Sequence, residues 1–205
     1  MPGFGGTKPL NNPSISMLTD WIAQKLQQLN LEDTVLVGHS MSGKLALSVA
    51  TLYPELVTKV ILVAPSPPTQ EPMEEEERQR MLRHPDENEA KTTVNQSSNF
   101  ELEAEKKQLA INNQLNVDHG TWRWWLLEGM NESITNTIHQ ISTPIFLLTS
   151  VDDPVISYDF LKKDFNTSIQ DIKEFTIEKA GHLLPLENPD WIAEKIRTIV
   201  GTHHK

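Results

Sequence analysis

Apolar and polar positions along this chain fall into two alternating kinds of segment. From Ile15 to Leu29, the apolar residues Ile15, Leu18, Ile22, Leu26 and Leu29 recur at helical spacing, with Asp20 and Lys25 facing out. That spacing predicts an amphipathic helix, with Ser14 or Ser16 placed to cap it. Asp33-Thr-Val-Leu-Val-Gly38 follows as a short, branched, nearly unbroken apolar run. Such a run predicts a strand buried on both faces, the sign of a parallel sheet. Met41 to Tyr53 returns to helical character and stops at Pro54, and Lys59 to Ala64 is a second buried strand stopped by Pro65. Strand, helix and strand within about thirty residues make a βαβ unit.

Beyond Ser66 the character changes. Pro65, Pro67, Pro68 and Pro72 stiffen the chain, Glu74 to Glu77 follow, and polar, largely helical sequence continues to about Gln140. Pro144-Ile-Phe-Leu-Leu-Thr-Ser150 resumes the buried-strand pattern, Lys173 to Glu178 supplies one more strand, and Pro189 to Val200 forms a last helix. The layout is α/β, with residues 1–65 as the first part of a core, 66–140 as a helical insertion and 141–205 as the second part. No internal repeat is present.

Composition narrows the function classes. A chain of 205 residues, 38% hydrophobic and 22% charged, fits one domain or one domain with an inserted subdomain. It has no cysteine, which excludes a disulfide scaffold, thiolate zinc sites and a cysteine nucleophile, and makes a cytoplasmic location the expectation. A net charge of -10 argues against a general nucleic-acid or anionic-membrane surface. No window approaches the roughly 18 apolar residues of a membrane span, and no signal peptide is evident. Eleven acids against six bases between Glu71 and Lys107 place half of the negative charge in the insertion.

The most informative stretch is Gly38-His39-Ser40-Met41-Ser42-Gly43, where a strand runs straight into a helix through small residues. In a nucleophile elbow, Ser stands at the tip of a strained turn, and its neighbours two positions away must be small so that strand and helix can approach. Gly38 and Ser42 meet that need, although the strict G-x-S-x-G pattern has Gly where Ser42 stands. The plainer alternative is that Ser40 merely caps a helix. Gly38, Gly43 and Lys44 also nearly spell a phosphate-binding loop, but the magnesium-binding position holds Leu45 and the following strand ends in Ala-Pro. On this reading Lys44 is a solvated helix residue.

A serine nucleophile needs a base, and the base needs an acid to fix its tautomer. Asp152-Asp153-Pro154 follows the strand Ile145 to Leu148, at the strand end where open α/β sheets place their chemistry. Asp153 is preferred as the acid and Asp152 is the alternative. Ala180-Gly181-His182 follows the last strand, so His182 can swing over the sheet's upper edge. The chain order Ser40, Asp153, His182 is that of one particular fold. Of the remaining histidines, turn geometry points His39 away from the nucleophile, His203-His204 reads as a frayed end, and His84, His119 and His139 have no ligand spacing; no metal site is expected.

These segments, together with Pro2-Gly-Phe-Gly and Gly181-His-Leu-Leu-Pro-Leu-Glu-Asn-Pro, make the chain resemble an α/β-hydrolase fold protein over nearly its whole length. The resemblance implies a mostly parallel sheet with helices on both faces and a helical cap over the active site. It implies Ser40 as nucleophile, Asp153 as acid, His182 as base and the Met41 N–H as an oxyanion donor. A serine there argues against the dehalogenases and epoxide hydrolases of this fold, which use Asp. The implied activity is a cofactor-independent serine hydrolase acting on a small carboxylic ester. Trp122 and Trp125 are candidates to line the substrate lid, though a helix packing an apolar stripe on the sheet would carry them equally well. The acidic cap disfavours anionic substrates.

The match also departs from the family. Family members carry four strands before the Pro-Gly turn, including the His-Gly loop that supplies a second oxyanion N–H. The chain therefore reads as N-terminally truncated, with an apolar sheet edge that invites pairing with another copy. Removing one oxyanion donor typically costs about 10² to 10³ in turnover. The alternative to an enzyme is a binding or regulatory protein on the same scaffold, since some hydrolase-like hormone receptors and stress regulators also carry Ser two positions after the nucleophile.

Overall fold

A computed structural model describes residues 1–31 and 33–201, so the His203-His204 pair lies outside the described residues. In chain order the elements are α1 (Ile15–Leu29), β1 (Val35–Ser40), α2 (Met41–Leu52), β2 (Lys59–Pro65), α3 (Glu75–Met81), α4 (Glu87–Gln96) and α5 (Ala104–Leu115). They continue with α6 (His119–Leu127), α7 (Thr135–Ile138), β3 (Ile145–Ser150), α8 (Tyr158–Ser168), β4 (Ile172–Ile177), α9 (Leu184–Glu187) and α10 (Pro189–Gly201). The four strands form one sheet in the order β1-β2-β3-β4, and every neighbouring pair is parallel.

Each element follows from local chemistry. Ser14 caps α1, its hydroxyl accepting the Met17 N–H at 3.1 Å, which leaves Ile15 and Leu18 to enter the core. The predicted apolar stripe does not stay buried to its end, since Leu29, the last residue of α1, is exposed. Asn30 closes the helix in the left-handed conformation, φ 48°. Every residue of β3 is buried, as expected of a central parallel strand.

Two layers of helix sandwich the sheet. On one face α1, α2 and α8 meet Val60, Leu62, Ile145 and Leu147. On the other, Ile192 and Ile199 of α10 cover Ile61, Val63, Phe146 and Leu148. This second cover does not extend across β1: Val35 packs against it, but Val37 is 49% exposed. The expectation of a strand buried on both faces is therefore corrected for β1. It stands at the edge of the described sheet, where that cover ends.

Helices α3 to α7 lie between β2 and β3. Part of this segment has its own small core of Ala90, Val94, Leu102 and Ile111, against which Leu183 and Leu186 pack. The rest joins the main core through Trp124, Trp125, Leu126, Met130 and Ile138. No described helix is long and apolar enough to cross a membrane.

Candidate active site

Ser40 is the last residue of β1 and caps α2 with φ 52° and ψ -126°, a backbone conformation that costs a non-glycine residue about 1–3 kcal/mol. The surroundings hold it there. A Cβ on Gly38 would sit 2.5 Å from Ser42 O, and one on Gly43 would sit 2.6 Å from Pro65 Cβ, so strand and helix close only because both lack side chains. Ser42 accommodates its extra hydroxyl by turning it back on the elbow. Its Oγ accepts the His39 N–H at 2.9 Å and donates to His39 O at 2.7 Å.

Three residues from separate parts of the chain meet at this turn. His182 Nε2 lies 2.9 Å from Ser40 Oγ, and His182 Nδ1 lies 2.8 Å from Asp153 Oδ2. With Nδ1–H donating to the carboxylate, Nε2 is left to accept the serine proton. The other oxygen of Asp153 accepts the N–H groups of Val155 at 2.8 Å and Ile156 at 3.1 Å, which fixes the carboxylate's orientation. Asp152 takes no part in this chain. Its Oδ2 accepts the Lys179 N–H at 2.7 Å and so ties β4's end to that of β3.

Burial opposes charge on both His182 and Asp153 and is outweighed in each case. The hydrogen bond and charge of Asp153, with the charges of Glu71 and Glu187, raise His182 above its usual value. The hydrogen bond and charge of His182, with the Ile156 and Val155 N–H groups, lower Asp153.

The histidine loop is held from both sides. Glu187 Oε2 accepts the Gly181 N–H at 2.8 Å, and Ser97 O accepts the His182 N–H at 2.8 Å. Asn99 Nδ2 donates to Ala180 O and Asp152 O, both at 2.7 Å. His39, which turn geometry was expected to point away, instead has its ring 5.3 Å from that of His182, with Nε2 2.8 Å from His182 O. Burial, followed by the charge of His182, lowers His39 to about 4, so at neutral pH it is an uncharged donor to that carbonyl.

A cavity of about 1100 Å³ opens beside Ser40 and His182. Met41, Trp122 and Trp125 all line it. Met41 is also the first residue of α2, where helical N–H groups lack intrahelical partners. Trp122 is anchored by its Nε1–H, which donates to Met81 O at 2.9 Å. Among the described residues no His, Asp and Glu side chains group as a metal site.

The sequence of residues 1–189 matches the family model described as alpha/beta hydrolase fold. The chain belongs to the α/β-hydrolase fold family. Solved structures similar to this hydrolase-fold chain include an esterase from Exiguobacterium antarcticum, 17% identical with TM-score 0.89, covering 98% of this chain and 79% of that one. An esterase from Thermogutta terrifontis is 21% identical with TM-score 0.82, covering 100% and 79%. A bromoperoxidase from Bacillus anthracis is 14% identical with TM-score 0.87, covering 98% and 79%. These likenesses show the fold. In sequence, a curated Haemophilus influenzae protein named provisionally as an esterase/lipase is 39% identical over 51 residues, which is 25% of this chain and 18% of that protein.

Two residues of this hydrolase-fold chain were not legible as site residues. Lys44 was expected to be solvated, yet it is fully buried, with Nζ donating to Thr69 O and Glu132 O at 2.9 Å each and to Met130 O at 3.5 Å. It joins α2 to both ends of the inserted segment, and burial lowers it to about 8. The signal was available, because Leu45-Ala-Leu-Ser-Val-Ala50 makes α2 apolar all round, and such a helix is buried on every side. Glu71 lines the cavity although it reads in sequence as one more acid in an acidic insertion. Its position among Pro67, Pro68 and Pro72, on a stiff segment leaving β2, was the available hint.

Proposed function

We propose that this chain is a serine hydrolase of small carboxylic esters, with Ser40 as nucleophile, His182 as general base and Asp153 as the acid that orients it. The observation that carries the reading is the continuous hydrogen-bonded chain from Ser40 through His182 to Asp153 in the wall of a largely apolar cavity.

Ser40 Oγ attacks the acyl carbon while its proton passes to His182 Nε2, and the carbonyl oxygen takes up negative charge. The Met41 N–H, at the start of α2, stabilises that oxyanion. Collapse breaks the bond to the alcohol oxygen, which leaves with the proton from His182, and Ser40 is acylated. Water then gives its proton to His182 and attacks the acyl carbon, releasing the acid and restoring Ser40. Ester and water thus become acid and alcohol with no cofactor. Asp153 stabilises the imidazolium at both stages without itself being protonated. The inserted helices serve as a cap over this cavity, with Trp122 and Trp125 contacting the substrate.

Incubation with a fluorophosphonate probe tests the assignment directly. Covalent label on Ser40, absent in Ser40→Ala, is the expected result. A folded sample that takes no label refutes it.

A further inference from the structure

The side chains lining the cavity beside Ser40 and His182 include several carboxylates. Among its described lining residues Glu71, Glu74, Glu77 and Asp153 are acidic, and none is Lys or Arg. Asp153 is committed to His182, and Glu77 pairs with Arg80 along α3. Glu71 differs from both. It is 5% exposed, and its Oε2 has no hydrogen-bond partner. Its backbone is pinned by its N–H, which donates to Met130 O at 2.8 Å. The ammonium of Lys44 acts on Glu71 from a distance, but its donors go to the carbonyls of Thr69, Glu132 and Met130.

Leaving one oxygen of a buried carboxylate unpartnered is costly, and a ligand that brings a cation with its own N–H removes the cost. Trp122, Trp125, Phe4 and Phe160 line the same cavity, and aromatic faces attract cations. We propose that the ester accepted by this cavity carries a protonated amine, and that Glu71 is the carboxylate that recognises it. The inference deepens the serine-hydrolase reading and rests on it. The environment of Glu71 agrees with this. Burial pushes it above the usual carboxylate range, with Asp153 adding to the effect and the Ser66 hydroxyl nearby, His182 and Lys44 opposing it. A neutral substrate leaves that strain in place, which is how a polar site rejects an analogue lacking the matching group.

The test compares substrates that differ only in charge. One pair is dimethylaminoethyl thioacetate and its carbon isostere isopentyl thioacetate, read with a thiol reagent, which meets no protein thiol because the chain has no cysteine. The second pair places the amine on the acyl side, as nitrophenyl esters of dimethylaminobutanoic acid and of its carbon isostere. In at least one pair the cationic ester should have a kcat/KM higher by roughly tenfold, and Glu71→Gln should bring that ratio near one. Taking the ratio within each protein cancels any effect of Glu71 on His182. Glu71→Met, which removes charge and keeps bulk, is the second variant should Gln disturb folding.

Ratios at or below one in both pairs, from a sample whose Ser40 takes the fluorophosphonate label, overturn the amine assignment and leave the hydrolase reading standing. No label and no product from any ester overturn both. A tenfold preference that survives both substitutions overturns the role of Glu71.

Discussion

Asp153→Asn keeps the size of the side chain and removes one acceptor, and the structure dictates how the amide must sit. Asp153 Oδ1 accepts two backbone N–H groups, from Val155 at 2.8 Å and Ile156 at 3.1 Å, while Oδ2 accepts only His182 Nδ1–H, at 2.8 Å. An asparagine has a single carbonyl oxygen. The two backbone donors cannot change character, whereas the imidazole can switch tautomer, so the oxygen takes the Oδ1 position and the NH₂ faces His182. His182 then accepts at Nδ1 and carries its proton on Nε2, the atom that lies 2.9 Å from Ser40 Oγ. A base already protonated on that nitrogen cannot activate the serine. The expected loss in kcat is on the order of 10⁴, the size seen when a triad acid is replaced by its amide, or about 5.5 kcal/mol in the barrier. The assay is hydrolysis of nitrophenyl acetate, with thermal unfolding to confirm that the variant folds. Asp152→Asn is the control. Asp152 bonds the Lys179 N–H and not His182, so its rate should stay within about tenfold of the parent. The reasoning fails if Asp153→Asn keeps more than a tenth of the parent activity, or if Asp152→Asn is the more damaging change.

Three further outcomes follow from the same geometry. His182 must be neutral to act as base and is raised above the usual imidazole value of 6.5, so kcat/KM should fall on acidification with a midpoint above pH 6.5; a lower midpoint contradicts the geometry. Lys44 is lowered from 10.5 to about 8, so between those values the unfolded chain binds the proton more tightly and stability should rise with pH, by about 3 kcal/mol across the window. Urea unfolding of Lys44→Met should lack that rise, and parallel profiles for the two proteins would refute the assignment. Ser42→Gly restores the commoner elbow residue but deletes two hydrogen bonds to His39, and urea titration should show a loss of about 1–2 kcal/mol. An unchanged midpoint would mean the hydroxyl does not brace the turn.

Much of this site can be read without coordinates because its chemistry is written in local patterns. The elbow needs a branched apolar strand, small residues around Ser40 and a helix immediately after, and all three are contiguous in the chain. Asp153 and His182 each follow a strand, and parallel strands deliver their C-terminal ends to one edge of the sheet, so their order along the chain implies that they meet. The limits of β2, β3 and α10 follow in the same way from Pro65, Pro144 and Pro189, because proline punctuates an element wherever it stands.

What the pattern cannot carry is any property decided by residues distant in sequence. Asp152 and Asp153 are adjacent and chemically identical, and only the path of the His182 loop makes one a partner of the imidazole and the other a tie to Lys179. Lys44 looks like a surface cation until Thr69, Met130 and Glu132 converge on it and supply the carbonyls that make its burial tolerable. Val37 is as apolar as any core residue, yet it is half exposed because α10 covers the sheet only as far as Val35. Glu71 is one of eleven acids between Glu71 and Lys107, and it becomes a feature of the cavity only when the chain leaving β2 folds against the site. The sequence by itself thus determined the order of the elements, the strained serine and the roles open to Asp and His, since these depend on backbone sterics and on the periods of helix and strand. Tertiary structure alone decided which carboxylate faces His182, which cation is buried and which acid lines the cavity, because burial and pairing belong to the neighbours a folded chain brings together.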